Sequence, residues 1–202
     1  MVSHIYSMGL YGMEAFPVEV EADLSSGLPS FEVVGLPGTA VKESRDRVRA
    51  AMKNCGFDFP VSKITVNLAP ADKRKEGPLY DLPLLIALLK ASGQLDADLD
   101  GSVFVGEISL TGQVRPVRGV LPMAIQVRKA GLSRFFVPRQ NAAEGSVVRG
   151  ITVYPVTDLP ELLQHLNGGA QIAPAEPSEA ETESAPGGPD FADVRGQQEA
   201  KR

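Results

Sequence analysis

The fold is decided by residues 63–89, which have the sequence KITVNLAPADKRKEGPLYDLPLLIALL. Apolar and polar residues alternate through 64–68, a pattern that predicts a half-buried strand. Residues 69–80 hold two Pro, one Gly and five charged residues and predict a shaped loop. An apolar helix follows, with Asp81 as its predicted cap and Pro83 in its first turn. A strand, a polar loop and a helix N-terminus in this order often form an anion-binding or catalytic site, so a site is expected here.

The length and composition fit one domain of ordinary size with an extension. The chain has 202 residues, of which 43% are hydrophobic, and a net charge of −5. Residues 170–202 contain seven acidic and three basic residues, so most of the net charge belongs to this segment. The preceding residues are nearly neutral, unlike a typical stand-alone DNA-binding domain.

The residue types exclude several kinds of site. One Cys and two His exclude a zinc site built from Cys and His alone, and no metal site is predicted. The alternating acids Glu19, Glu21 and Asp23 are interpreted as a solvated sheet face rather than a metal site. Cys55 has no second Cys to pair with, which favours a reducing compartment. The longest apolar run, residues 82–89, is too short to span a membrane, and the N-terminus lacks signal-peptide features. A soluble cytoplasmic protein is therefore expected.

Strand and helix patterns alternate along the body of the chain. Two strands are predicted at 3–14 and 17–24, around a turn near 15–17, and Thr39 is the predicted N-cap of a helix ending at Gly56. Further strand patterns occur at 30–36, 103–105, 108–110, 134–137 and 151–156, and further helix patterns at 119–130 and 159–166. This order predicts an α/β (α+β) domain with one mixed β-sheet and helices packed mainly on one face. The sequence contains neither G-x-G-x-x-G nor G-x-x-x-x-G-K-[ST], so no phosphate loop is predicted.

The composition changes after the body of the chain. Residues 169–189 are rich in Pro, Glu, Ser and Ala and predict a disordered acidic linker. Residues 190–202, DFADVRGQQEAKR, return to a helix-like composition. The expected organisation is a packed domain at 1–168, the linker, and the truncated start of another domain.

Three segments together resemble one known family. They are residues 18–57, residues 63–89 and residues 104–124, the last with the sequence FVGEISLTGQVRPVRGVLPMA. They are similar to the N-terminal domain of the ComM/YifB family of bacterial magnesium-chelatase-like AAA+ ATPases, and the likeness extends over residues 2–166. Residues 190–202 resemble the entry to that family's ATPase domain. The resemblance implies a ribosomal S5 domain 2-like fold, which is also that of the Lon proteolytic domain.

The Lon comparison tests for a protease. Lon-type enzymes carry a nucleophilic Ser in K-D-G-P-S-A-G, and this chain has KEGPLYD there, with Leu79 at the Ser position. GEISLTGQVRPV resembles the segment that precedes the general-base Lys, and the Lys position is Leu121. A Ser–Lys dyad needs a hydroxyl that attacks and an amine that accepts its proton, and leucine supplies neither. The resemblance therefore implies an inactive Lon-like domain without catalytic residues.

The stretch at residues 63–89 lacks the Ser of the Lon-type dyad but carries positive charge. Its loop carries Lys73, Arg74 and Lys75, and the helix at 39–56 adds Arg45, Arg47, Arg49 and Lys53. If the two segments share a face, they can neutralise several phosphates, and Arg45, Arg49, Lys53, Lys73, Arg74 and Lys75 are the candidate nucleic-acid-binding residues. A solvated surface with helical ion pairs and subunit contacts stays an open alternative. The sequence shows no aromatic interleaving that would indicate base stacking.

The resemblance also implies a function for a longer parent protein. That parent is expected to be a homo-hexameric, ATP-driven helicase that remodels single-stranded or branched DNA in recombination and natural transformation. Its missing ATPase domain would bind ATP and Mg, whereas this chain is expected to hold no cofactor and to be no enzyme. Its expected partners are its own AAA+ domain and sister subunits. The alternatives are a protein-interaction or ring-assembly module without DNA contact and, ranked lower, a partner in metal insertion.

Overall fold

The computed structural model describes residues 2–177. The predicted start of another domain at 190–202, and the predicted linker beyond residue 177, lie outside the described residues. The strands are β1 (Val2–Tyr11), β2 (Glu14–Ser25), β3 (Ser30–Val34), β4 (Lys63–Ala69), β5 (Ser102–Phe104), β6 (Glu107–Ile108), β7 (Val114–Arg115), β8 (Arg134–Pro138) and β9 (Thr152–Val156). The helices are α1 (Thr39–Asn54), α2 (Asp81–Ala91), α3 (Val120–Lys129), α4 (Ala142–Ser146) and α5 (Leu159–Leu166).

Seven strands form one mixed sheet in the order β3-β4-β2-β1-β5-β8-β9, while β6 and β7 form a separate hairpin. β1 pairs antiparallel with β2 and parallel with β5, and β3 pairs parallel with β4. The edge strand β3 therefore has one neighbour in the sheet, and its residues line a cavity together with residues of α1.

The turn between β1 and β2 lies earlier than the sequence predicts. Tyr11 pairs with Glu14, so the connection is Gly12 and Met13, and Gly12 has a φ of 60°. The prediction of a turn near residues 15–17 is wrong, because Pro17 stays in register opposite Met8. Its ring fits an extended backbone, and the left-handed conformation at Gly12 makes the reversal.

Helices cover both faces of the sheet unequally. On one face, Ser3 of β1 donates to the carbonyl of Ala87 in α2 at 2.8 Å. The ring of His165 in α5 packs on the same side against Phe136 and Tyr154, with centroids 5.5 and 4.9 Å apart. On the opposite face, Gly145 of α4 lies against Val153, and α3 packs on α4. The predicted mixed sheet with helices mainly on one face is confirmed, and α3 and α4 are an additional layer over part of the other face.

Residues 63–89 fold as predicted except at the cap of α2, and the predicted cap of α1 is also wrong. β4 and α2 lie where the pattern places them, and every residue of α2 except Lys90 is buried. Asp81 does not cap α2, because it is the first residue of the helix and its carboxylate bonds to other elements. Thr39 does not cap α1 either. Gly38 occupies that position, donating its N–H to the Lys75 carbonyl at 2.8 Å in a space where a Cβ would lie 3.1 Å from that oxygen.

The Asp81 carboxylate is fully buried and joins three elements. Arg47 of α1 donates to it twice, at 2.7 and 3.0 Å, and the Ser44 hydroxyl of α1 donates to the same group. The backbone N–H of Ile108 in β6 donates to it at 3.2 Å. Burial raises the pKa of Asp81, while hydrogen bonds from Arg47 and Ser44 lower it, and the bond to Asp81 raises the pKa of Arg47. A buried carboxylate with this many donors depends on keeping all of them.

Within residues 2–177, none of the helices has the length and apolar character that crossing a membrane requires.

Replacing Arg47 with Met is expected to lower the free energy of unfolding by about 3 kcal/mol, because it leaves the buried Asp81 carboxylate without its ionic partner. Urea unfolding followed by circular dichroism measures the change. The matched control is Arg45→Met, two residues earlier on another face of the helix, where the side chain is half exposed and pairs with exposed Asp46. Its effect should stay within about 0.5 kcal/mol. Equal losses for the two variants would contradict the role assigned to Arg47.

Candidate nucleic-acid interface

One outward face of α1 carries a line of cations. Lys42, Arg45, Arg49 and Lys53 follow one another at intervals of three or four residues, and all four are exposed. Because an α-helix has about 3.6 residues per turn, this spacing places them on one face. We call these four residues the α1 cationic stripe. Sequence reasoning missed Lys42, although the spacing of the basic residues was already visible.

The cations of α1 differ in how they are paired. Arg45 pairs with Asp46 at 3.0 Å, with half or more of each side chain exposed, and such pairs contribute little to stability. Among residues 2–177, the ion pairs seen in the structure do not involve Lys42, Arg49 or Lys53. Arg47 points inward to Asp81 and also pairs with Glu43 at 3.7 Å, as its spacing predicts. Asp46, four residues after Lys42, pairs with Arg45 rather than with Lys42.

The α1 cationic stripe flanks a groove between α1 and the edge strand β3. Two adjoining cavities of about 220 and 340 Å³ share Phe31 and Arg45 in their walls. The larger cavity is also lined by Lys42 and Val34, and the smaller one by Arg49. Two adjoining cavities with cations in their walls can hold a linear anion.

The basic loop divides into two exposed residues and one buried residue. The Lys73 ammonium lies 4.7 Å from the ring centroid of Phe16, and Arg74 pairs with Glu76 at 2.9 Å. Lys75 is fully buried. Its ammonium donates to the Gly35 carbonyl at 3.0 Å and to the Pro70 carbonyl. A buried ammonium cannot approach a phosphate, so Lys75 holds the loop together and is left out of the interface.

The loop and the α1 cationic stripe do not form one compact patch. The backbone of Lys75 bonds to Leu36 and Gly38, which places the loop at the N-terminus of α1. Arg49 lies about 15 Å further along the helix axis. Lys42 and Arg45 lie between them, so the exposed cations are distributed along a line.

One of the two Lon-like positions lies at a separate cleft of about 560 Å³. Leu79 is buried in its wall, together with Leu10, Glu107 and Arg118. Leu121 lies in the first turn of α3, where its N–H donates to Glu144 at 2.8 Å. The two positions present alkyl groups, so they supply neither a nucleophile nor a base.

The acidic strand face is hydrogen bonded within itself. His4 Nδ1 lies 3.0 Å from Glu19 and 3.6 Å from Glu21, and Asn67 donates to Glu21 at 2.6 Å. Within the described residues, His4, Glu19 and Glu21 are the one group of His, Cys or acidic side chains whose ligand atoms lie close enough to hold a metal ion. Each already has a partner in this arrangement, and the interpretation of a solvated sheet face stays a prediction.

Comparison with known proteins places the chain among relatives of a chelatase subunit. A family model described as subunit ChlI of Mg-chelatase matches residues 20–141. The chain is 43% identical to competence protein ComM of Haemophilus influenzae, over 98% of this chain and 40% of that protein. It is 41% identical to the uncharacterized protein YifB of Escherichia coli, over 100% of this chain and 39% of that protein. It is also 28% identical to Lon protease of Mycolicibacterium smegmatis, over 88% of this chain and 23% of that protein. The chain thus spans about two fifths of the length of ComM and YifB.

Lys75 is expected to make the free energy of unfolding depend on pH in the alkaline range. Burial lowers the pKa of Lys75, against the opposing effect of the Asp72 charge. The unfolded chain therefore binds more protons between the folded and unfolded pKa values, and stability rises with pH across that window. Relative to Lys75→Met, the wild type should gain free energy of unfolding as the pH rises towards the ordinary lysine pKa of about 10.4. Urea titrations of both proteins test this, with exposed Lys73→Met as the control. Parallel pH curves for wild type and Lys75→Met would refute it.

Proposed function

This chain belongs to the family of subunit ChlI of Mg-chelatase, and from that membership we propose that it is the N-terminal, non-catalytic domain of a AAA+ ATPase that remodels DNA. In this proposal the domain touches nucleic acid itself, through the α1 cationic stripe. The ATPase part of the longer protein supplies ATP and Mg²⁺ binding and assembles as a homo-hexamer.

The observation that carries this proposal is the geometry of the α1 cationic stripe. Its four cations are spaced by about 4.5 to 6 Å along the helix axis and span about 16 Å in all. Along one strand of B-form DNA, that length corresponds to about five phosphates. Among residues 2–177, three of the four cations have no carboxylate partner in the ion pairs of the structure, so phosphates would not have to displace existing bonds.

Two further observations support the proposal. The Haemophilus influenzae relative is named a competence protein, which supports a role in natural transformation and recombination. Leu79 and Leu121 supply no Ser–Lys chemistry at the two Lon-like positions, which supports a binding role rather than a proteolytic one. On this proposal the chain by itself cleaves neither peptides nor ATP.

The test of the interface compares the removal of two positive charges from α1 with the removal of two positive charges from α3. The double variant Arg45→Gln/Arg49→Gln should bind a labelled 20-nucleotide single strand roughly tenfold more weakly than wild type at low salt. Its slope of log affinity against log salt should fall by about 1.4, because two phosphate contacts are lost. Fluorescence anisotropy between 50 and 200 mM salt measures both quantities.

The matched control is Arg128→Gln/Lys129→Gln, which removes the same charge from exposed positions at the end of α3. This control should keep the affinity and salt slope of the wild type. Equal weakening by both double variants, or salt-independent binding by the wild type, would count against the α1 cationic stripe as the interface.

A ring-assembly module is the second candidate, and the tip of the β1–β2 hairpin favours it. Tyr11 and Met13 are 81% and 91% exposed on either side of Gly12. Neighbouring exposed apolar side chains of this size often mark protein contacts. On this alternative, light scattering should show a mass above that of the monomer, and Tyr11→Ser/Met13→Ser should restore the monomer. A monomeric wild type that binds DNA would exclude assembly by this domain alone.

A further inference from the structure

The smaller of the two cavities beside α1 has an aromatic floor. Phe31 and Phe59 contribute rings whose centroids lie 6.1 Å apart at an interplanar angle of 32°. The cavity measures about 220 Å³ and is also lined by Ser62, Arg45 and Arg49. We call it the Phe31–Phe59 groove. The sequence gives no hint of this groove, because Phe31 lies in β3 and Phe59 precedes β4. Only the parallel pairing of the two strands brings the rings together.

Cations form the rim of the Phe31–Phe59 groove. The Arg49 guanidinium carbon lies 5.6 Å from the ring centroid of Phe59, within the range of a cation–π contact. Arg45, one turn earlier in the α1 cationic stripe, lines the same cavity and the adjoining one. An apolar, aromatic floor beneath two exposed guanidinium groups suits a ligand with a flat ring and an adjacent anion.

A hydroxyl in the wall has spare hydrogen-bonding capacity. Ser62 Oγ is covered from solvent and, within residues 2–177, has no hydrogen-bond partner. Its residue lines the Phe31–Phe59 groove. A buried hydroxyl without a partner is unfavourable, and rotation of the Ser62 side chain towards a polar ring edge in the groove would relieve that cost.

We infer that the Phe31–Phe59 groove binds one unpaired nucleotide of a nucleic-acid strand, with its base on the two rings and its flanking phosphates on Arg45 and Arg49. This inference rests on the proposed function and adds that the bound nucleic acid is single-stranded at this groove. A base paired in a duplex has both faces covered by its neighbours, whereas an unpaired base can stack on an aromatic side chain. The cavity also has room for a single nucleotide but not for a double helix. DNA and RNA share this chemistry, so the test includes both.

The test uses variants that preserve apolar volume and remove the aromatic face. Phe59→Leu and, separately, Phe31→Leu are made in the 202-residue chain. Each should weaken binding of a 20-nucleotide single strand about tenfold, since stacking on one aromatic side chain contributes at that level. Affinity for a duplex of the same length should stay unchanged. The matched control is Phe57→Leu, a partly buried Phe on the same connection that does not line the groove.

A fluorescent base reports the stacking directly. An oligonucleotide containing 2-aminopurine should lose fluorescence on binding wild type and Phe57→Leu, and should keep it with Phe59→Leu and Phe31→Leu. Thermal melting confirms that each variant is folded. If one of the two Phe variants does not fold, the other still tests the groove. Matching deoxyribose and ribose strands show which nucleic acid is preferred, and quenching is expected with both.

The outcomes separate this inference from the proposed function. If Phe59→Leu and Phe31→Leu bind like the wild type while Arg45→Gln/Arg49→Gln remains defective, the α1 cationic stripe stands and the base-stacking subsite is overturned. Absence of quenching with wild type bound to DNA would overturn the subsite in the same way. Absence of any binding to single strands or duplexes would overturn both.

Discussion

The bonds between Arg47 and Asp81 are the constraint on which the rest of the structure depends. They tie α1 to the start of α2, and the N–H of Ile108 ties β6 to the same carboxylate. Because Arg47 must face inward, the rotation of α1 about its axis is fixed. The helical period then places the α1 cationic stripe on another face of the helix, towards β3 and solvent. One buried ion pair thus determines which cations of the helix a ligand can reach.

Lys75 is likewise a buried basic residue with a structural role, on the neighbouring loop. Its ammonium binds two carbonyls, and its backbone bonds to Leu36 and Gly38 at the entry to α1. Arg47 and Lys75 are thus two basic residues whose hydrogen bonds hold elements of the fold together. Arg45 lies in the same helix as Arg47, and Lys73 lies in the same loop as Lys75, yet Arg45 and Lys73 are exposed. The sequence gives residue types and local spacing, but burial depends on contacts between elements far apart in the chain.

Local periodicity explains what the sequence predicted correctly. β4 and α2 lie where apolar spacing puts them, because alternating and helical patterns are properties of the segment itself. The role of Asp81, the turn at Gly12 and the pairing of Phe31 with Phe59 could not be predicted this way. Asp81 has the local features of a cap, yet its partners lie in α1 and β6. The two rings meet only through the register of β3 with β4.

The nearly neutral body of the chain is consistent with the proposed function. A domain with a strong positive charge would hold nucleic acid along its whole surface and release it slowly. Here the α1 cationic stripe and the short loop at its N-terminal end form a line of exposed cations, so the expected contact is local and sensitive to salt. A motor that advances along DNA has to release each contact during its cycle. A guiding domain therefore benefits from a few phosphate contacts and one stacked base more than from a large basic surface.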